Sequence, residues 1–336
     1  MKKISFLKNK TILVTGGTGS FGSNFSKYLL ENSDLKKLII FSRDELKQSR
    51  LREEIKDKRA RFFLGDIRDL PRLERAFNGV DIVVHAAALK QVPTLEYNPF
   101  EAVKTNVLGS QNVIDAAIDQ KVGKIVLIST DKAAEPVNLY GSTKLCAEKL
   151  FISGNSYAPD KSKFSCVRYG NVIGSRGSII DILLKNPDMK TVSITHEKMT
   201  RFWIDLEKSF SLVLFALENM EGGEIFIPKI PSMKLMDLFD ALAPRANKKI
   251  AGIRPGEKLH EILLTKEEAR HTVELEKYFV ILPEGEAFDV EVRFKQWLSK
   301  GKTLPDDYSY TSHSNKVWLT REEFLKLVES KKTKYS

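Results

Sequence analysis

Cysteine is almost absent from this sequence: Cys146 and Cys166 are the only two in 336 residues. A disulfide framework is therefore excluded, and two lone thiols in an apparent helix and strand fit buried positions in a reducing cytoplasm. Long apolar runs are missing too. No stretch approaches the roughly 18 apolar residues that a bilayer-spanning helix needs, so no membrane partner is expected. The N-terminal MKKISFLKNKTILV is basic and then apolar, but its apolar part is short and has no small-residue cleavage site. It runs into a glycine-rich turn and reads as a first strand, not a signal peptide. There is no Cys/His spacing suited to a metal, no internal repeat and no low-complexity tract. A basic face is also lacking. The 54 Lys and Arg outnumber the 44 Asp and Glu to give +10, but they interleave in segments such as DELKQSRLREEIKDKRAR, and only the tail carries a purely basic cluster, KKTK. That pattern argues against nucleic acid and leaves multiply anionic small molecules as partners. With 42% apolar residues the chain can build a substantial core, as one large domain or two smaller ones.

What is present is an alternation of short apolar strands and amphipathic helices. Strands are expected at Thr11 to Thr15, Lys37 to Phe41, Arg61 to Leu64, Asp81 to Val84, Lys124 to Ser129 and Phe164 to Tyr169. A long helix from Pro99 to Asp119 contains Asn106, and the alternation implies a parallel, doubly wound α/β sheet with ligands beyond the carboxyl ends of its strands. After the first strand comes Gly16-Gly17-Thr18-Gly19-Ser20-Phe21-Gly22, then a helix through Leu30. Glycines at this spacing allow a tight turn, close approach of backbone to a pyrophosphate and packing of helix on strand, with the helix N-terminus facing the phosphates. The second strand ends in Ser42-Arg43, with Lys47 one helical turn on. An arginine here favours the 2′-phosphate of NADP over the ribose hydroxyls of NAD. Asp44 stands against this, and a solvated helix start is the alternative. Asp66, beside Ile67, is placed to accept from an adenine amino group, and the small side chains of Ala86-Ala87-Ala88 after His85 let a flat cofactor lie against backbone.

The chemistry concentrates between Lys124 and Lys144, KIVLISTDKAAEPVNLYGSTK, where Thr130-Asp131-Lys132 ends a strand and Tyr140 and Lys144 share one helix face. A tyrosine near its ordinary value of about 10 is a poor base at neutral pH, and an ammonium beside it, here Lys144, would favour the usable phenolate.

Together, TGGTGSFG, HAAA, Asn106, Ser129-Thr130 and Tyr140-x-x-x-Lys144 resemble the extended short-chain dehydrogenase/reductase superfamily. More narrowly, FSRDELKQ, HAAALKQVPTLEYNPFEAVKTNV, STDKAAEPVNLYGSTK, RYGNVIGSRGS, MTRFW, GGEIFIPKIPSMK and GIRPGEKLHE are similar to bacterial inverting UDP-N-acetylglucosamine 4,6-dehydratases that open the pseudaminic acid pathway. The likeness runs from about Asn9 to Trp318; Asp181 departs from it, standing where the family usually has proline. It implies a Rossmann-type NADP domain over residues 1–172 with returning segments near 200–228, a smaller substrate-binding lobe over 173–330, and a disordered tail at 331–336. It also implies a cytoplasmic homo-oligomer, dimer or hexamer, acting on UDP-N-acetylglucosamine. In the implied reaction Tyr140 takes the C4 hydroxyl proton with help from Lys144, and Thr130 holds the same oxygen. Asp131 protonates the departing C6 hydroxyl, and Lys132, its pKa lowered by desolvation, works at C5. Asn171 would donate to the diphosphate, Arg254 and then Arg201 would bind phosphate, and Lys90, Arg176, Thr200 and Glu257 complete the substrate set. A nucleotide-sugar 4-epimerase is the alternative enzyme. A non-catalytic sensor of NADP or a nucleotide sugar is the alternative outside catalysis, although such a binder would be expected to lose one of Tyr140, Lys144, Asp131 or Lys132.

Overall fold

Each apolar run becomes a strand of one large sheet. β1 (Thr11–Thr15), β2 (Lys37–Ser42), β3 (Ala60–Leu64), β4 (Ile82–His85), β5 (Lys124–Ile128) and β6 (Lys163–Val167) lie parallel in the order 3-2-1-4-5-6. That order reverses direction at β1 and β4, and so opens a crevice above their carboxyl ends. Ile225–Pro228 adds a seventh parallel strand beside β6, and Tyr278–Ile281, Thr272–Glu274 and Lys302–Thr303 extend the sheet antiparallel. β1 is buried along its whole length, as a strand covered by helices on both faces must be. These features come from a computed structural model that describes residues 3–159, 161–175, 177–186, 188–285 and 288–332.

The apolar residues form two cores. The larger lies on the sheet and includes Phe25, Val83, Val126, Phe164, Phe226 and Trp297. The smaller gathers Ile173, Ile194, Trp203, Met233, Phe239, Phe324 and Val328. Apolar residues from Leu263 to Tyr310 pack into the large core; within that segment Thr272–Glu274, Tyr278–Ile281 and Lys302–Thr303 complete the main sheet's edge, while Ile262–Leu264 pairs with Tyr310–Thr311 apart from it. The last helix, Arg321–Lys332, continues past the expected start of the tail, and residues 333–336 lie outside the described ones.

Three local differences have physical causes. The stretch from Pro99 to Asp119 is helical throughout but widens into π turns over Val103–Leu108, the segment that holds Asn106. Cys166 is buried but Cys146 is exposed, because it stands two residues from buried Lys144 and so on the other face of the helix Leu139–Tyr157. Asp181 opens the helix Ile179–Lys185: its N–H donates to Ser178 Oγ at 3.3 Å and its carboxylate accepts from Gly177 N at 2.9 Å, two bonds that proline would not make.

Candidate active site

At the end of β1 the chain turns through Gly16 at φ +63°, a left-handed conformation that costs glycine nothing. A Cβ on Gly16 would lie 2.8 Å from the Ala87 backbone, and one on Gly22 would lie 2.5 Å from Gly16 O. Only glycine lets the helix Ser20–Asn32 start so close to the strand and to the loop after β4. Gly19 caps that helix with no side chain, and its first turn carries no acidic residue. The positive end of the helix dipole is thus left for an anion, and a dinucleotide's pyrophosphate fits this cradle. Phe21 instead packs on Phe25 and Phe210, with ring centroids 5.2 and 5.6 Å away.

The loop after β4 is locked by a hydrogen-bond chain that sequence reading missed. Thr15 Oγ1 accepts from Ala86 N and Ala87 N at 3.2 and 3.3 Å, so its own proton goes to His85 Nδ1 at 2.7 Å. Ser110 donates to Asn106 O at 2.6 Å, leaving its oxygen to accept from His85 Nε2 at 3.2 Å. The network therefore assigns a neutral His85 protonated on Nε2, and burial with the nearby Lys144 charge lowers its pKa to about 3. Asn106 grips Leu89 through both N–H and C=O, at 2.8 and 2.9 Å, and donates to Thr143 at 3.0 Å. Its amide is spent on holding this loop against the helix of Tyr140. At the end of β2, Ser42 accepts from Gln48, while Asp44 caps the next helix and pairs with Lys47 at 2.8 Å. Arg43 stays exposed, 3.8 Å from Asp66, which is itself engaged by Arg68; Ile67 is buried under Gly109.

After the end of β5, Thr130 caps a single 3-10 turn, Asp131–Ala133, that carries Asp131 and Lys132. Asp131 is fully buried, and its Oδ1 accepts from Thr130 Oγ1 at 2.9 Å and from Lys132 Nζ at 3.0 Å. Glu261, also buried, brings Oε1 to 3.3 Å from the same Nζ and to 3.4 Å from Arg201 Nε. Arg201 in turn faces Glu257 at 3.5 Å. Asp131 Oδ2 and Glu261 Oε2 are both buried with no hydrogen-bond partner. Beneath the turn, Ser129 donates to Glu148, which is bridged to Glu268 by the wholly buried Arg168.

This geometry corrects the expected lowering of Lys132 and the expected favouring of the Tyr140 phenolate by Lys144. Lys132 is not lowered: burial disfavours its charge, but Asp131 and Glu261 outweigh burial and the opposing Arg201, and hold it as an ammonium. Asp131 is raised, by burial first and by Glu261 as well, against the pull of Lys132. Tyr140 is pushed up to about 12 by burial, with Lys132 and a Thr130 hydrogen bond favouring the phenolate and Asp131 opposing it. The ammonium acting on Tyr140 is thus Lys132. Lys144 is buried, lowered to about 8 by burial against the pull of Glu148.

On the substrate side, Lys90 donates to Ser175 at 3.1 Å and Asn171 lies in the strand Asn171–Val172 beside Trp203–Ile204. Thr200 is buried and hydrogen-bonded to His260 and Ser312 at 2.8 and 2.7 Å. The turn around Gly256 docks beside Tyr140: Asn138 donates to Gly256 O at 2.7 Å and Lys258 to Ala134 O. Arg254, on the same turn, is exposed, and Arg176 lies outside the described residues. Glu261 and Lys258 were not singled out in the sequence. Both belong to GIRPGEKLHE, but a buried glutamate carries no local signature there.

A doubly wound sheet whose fifth strand delivers Ser-Thr and whose next helix delivers Tyr140 and Lys144 is the architecture of the short-chain dehydrogenase/reductase class. Within it, residues 12–283 match the family described as polysaccharide biosynthesis protein, and the chain belongs to that family. The chain is 49% identical over 324 residues to the inverting UDP-N-acetylglucosamine 4,6-dehydratase of Campylobacter jejuni, covering 95% of this chain and 97% of the relative. It is 40% identical over 332 residues to a UDP-glucose 4-epimerase of Rickettsia conorii, with 95% of each covered. Among solved structures, Pen from Bacillus thuringiensis matches with a TM-score of 0.87 at 37% identity, over 97% of this chain and 99% of that one.

Proposed function

We propose that the protein dehydrates UDP-N-acetylglucosamine and inverts C5, giving UDP-2-acetamido-2,6-dideoxy-β-L-arabino-hex-4-ulose, with NADP regenerated in each cycle. The observation that carries this reading is the buried Asp131-Lys132-Glu261 cluster beside Tyr140. A 4-epimerase needs proton transfer at C4 alone, whereas loss of the C6 hydroxyl also needs an acid and a base near C5 and C6. Tyr140, acting as the phenolate that the Lys132 ammonium favours, takes the C4 hydroxyl proton, and Thr130 holds the same oxygen. Bound nicotinamide supplies the hydride acceptor for C4 and the donor for C6. Asp131, whose carboxyl burial raises, is the acid for the departing C6 hydroxyl. Transfer of a proton from Lys132 Nζ to Asp131 Oδ1, 3.0 Å apart, leaves an amine and a carboxylic acid side by side. The amine takes the C5 proton and the acid gives its proton to the hydroxyl leaving as water, which returns both groups to their charged forms; as hydride returns to C6, Lys132 gives a solvent-exchanged proton to the opposite face of C5 and is recharged by the proton that Tyr140 took from the C4 hydroxyl.

Exposed Arg43 at the end of β2 supports the 2′-phosphate of NADP, and exposed Arg254 supports the substrate diphosphate. The smaller core is the foundation of the substrate lobe. Phe100, Leu108 and Tyr157, exposed along the helical stretch from Pro99 to Asp119 and the helix Leu139–Tyr157, support a homo-oligomer. Among the described residues no helix is long and apolar enough to cross a membrane. A nucleotide-sugar substrate supports work in the cytoplasm, at the first step of pseudaminic acid synthesis. The relatives named as epimerases support the competing reading. Mass spectrometry of UDP-N-acetylglucosamine after incubation separates the two: loss of one water supports dehydration, and an unchanged mass supports epimerisation.

A further inference from the structure

Lys132 reaches into the site from the end of β5, yet the second group that faces it comes from a segment more than a hundred residues later. Glu261 immediately precedes the strand Ile262–Leu264, and its backbone is fixed by a bond from its N–H to Ser312 Oγ at 2.9 Å. Its side chain is 3% exposed and carries one oxygen between Lys132 Nζ, at 3.3 Å, and Arg201 Nε, at 3.4 Å. A buried carboxylate without paired cations is costly, and this one has two. Its other oxygen has no partner. The arrangement is a carboxylate clamp, Asp131 on one side of the ammonium and Glu261 on the other, with Arg201 balancing the second carboxylate.

We propose that Glu261 is a positioning residue for the elimination: acting through Lys132, it fixes the ammonium against Asp131 so that the proton exchange between those two groups is aligned. This rests on the dehydratase reading of the site. When Lys132 passes its proton to Asp131, Glu261 keeps its charge through Arg201, so the cluster's total charge is unchanged and no buried charge loses every partner. Without Glu261 the lysine has one anchor instead of two, and misplacement of a reacting group by about 1 Å costs on the order of 100-fold in rate. Glu261 contacts Lys132 and is not assigned contact with the sugar.

The test is Glu261→Gln, with Glu261→Asp as the conservative partner, each first checked for an unchanged melting profile. The groups facing Lys132 are Asp131, Glu261, Arg201, Tyr140 and Lys258, and the substitution changes the charge of Glu261 alone. In ligand-free protein, NMR of the Lys132 ammonium should show titration moving to lower pH in Glu261→Gln and returning toward wild type in Glu261→Asp. With substrate, water loss should fall about 100-fold, with KM changed less than about threefold and C4 oxidation retained. Wild-type titration together with a wild-type rate in Glu261→Gln overturns the proposal, and so does an equal loss in both half-reactions with titration unmoved. If wild-type protein itself releases no water from UDP-N-acetylglucosamine, the dehydratase reading fails instead, and the ligand-free titration still decides whether the clamp exists.

Discussion

His85 stands at the end of β4, immediately before the loop that closes the dinucleotide cradle, and its burial makes the protein's acid stability measurable. In the folded chain it is neutral, with its pKa lowered from 6.5 to about 3. Because the folded value lies below the unfolded one, the unfolded chain binds the extra proton first, and stability falls as pH drops below 6.5. At pH 5 the gap is about 1.5 units, which at ~1.4 kcal/mol per unit makes a loss of about 2 kcal/mol. The loss continues to grow until the pH nears the folded value. Replacing His85 with glutamine removes the titrating group while keeping a polar side chain between Thr15 and Ser110. Urea unfolding of both proteins at pH 7 and pH 5 should therefore show wild type losing about 2 kcal/mol more than His85→Gln over that interval. Glutamine will lower stability at both pH values, because the network is disturbed, but that offset cancels in the difference. Equal pH dependence in the two proteins would refute the assignment of a neutral, buried imidazole.

Tyr140→Phe should reduce C4 oxidation by at least about 100-fold while leaving dinucleotide affinity nearly intact, read by stopped-flow absorbance and by calorimetry; retention of most turnover would remove Tyr140 as the base. Lys132→Ala leaves Asp131 and Glu261 buried with Arg201 as the remaining charge partner at Glu261, so water loss should fall about 100-fold or more while bound nicotinamide is still reduced, followed by proton NMR of the sugar. Undiminished, inverted product from Lys132→Ala would mean that another group works at C5. Arg43→Ala should weaken NADP binding and leave NAD binding almost unchanged, with calorimetric affinities as the readout, because only NADP has a 2′-phosphate for the guanidinium to meet. Equal affinity of wild type for both cofactors would contradict the role given to Arg43.

The sheet was legible because burial on both faces leaves strands such as Ile12 to Val14 and Ile125 to Leu127 almost wholly apolar, and because glycine at positions 16 and 22 is a backbone necessity that survives in any sequence with this turn. Tyr140 and Lys144 were legible for a similar reason, since spacing on one helix fixes a face. What the sequence did not disclose depends on groups brought together from distant segments. Glu261 is brought to Lys132 by a segment whose turn around Gly256 docks on Asn138, and it adds to the larger effect of Asp131 in reversing the expected direction of the lysine's pKa. Tyr140 was read as the partner of Lys144 from separation along the chain alone, whereas the charges acting on it come from the turn after β5. The edge of the large sheet was missed because Thr272–Glu274 and Lys302–Thr303 are short, and in an antiparallel edge their pattern is set by neighbours, not by burial on both faces.

In the proposed reaction the cluster around Lys132 removes and replaces the C5 proton while water leaves from C6. Proton NMR of the sugar formed from UDP-N-acetylglucosamine by wild-type enzyme in heavy water tests it directly. A 4-keto-6-deoxy sugar with deuterium at C5 and ring couplings of the L-arabino configuration is expected. A product that keeps protium at C5, keeps the D configuration, or is a 4-epimer with its C6 hydroxyl in place would contradict it.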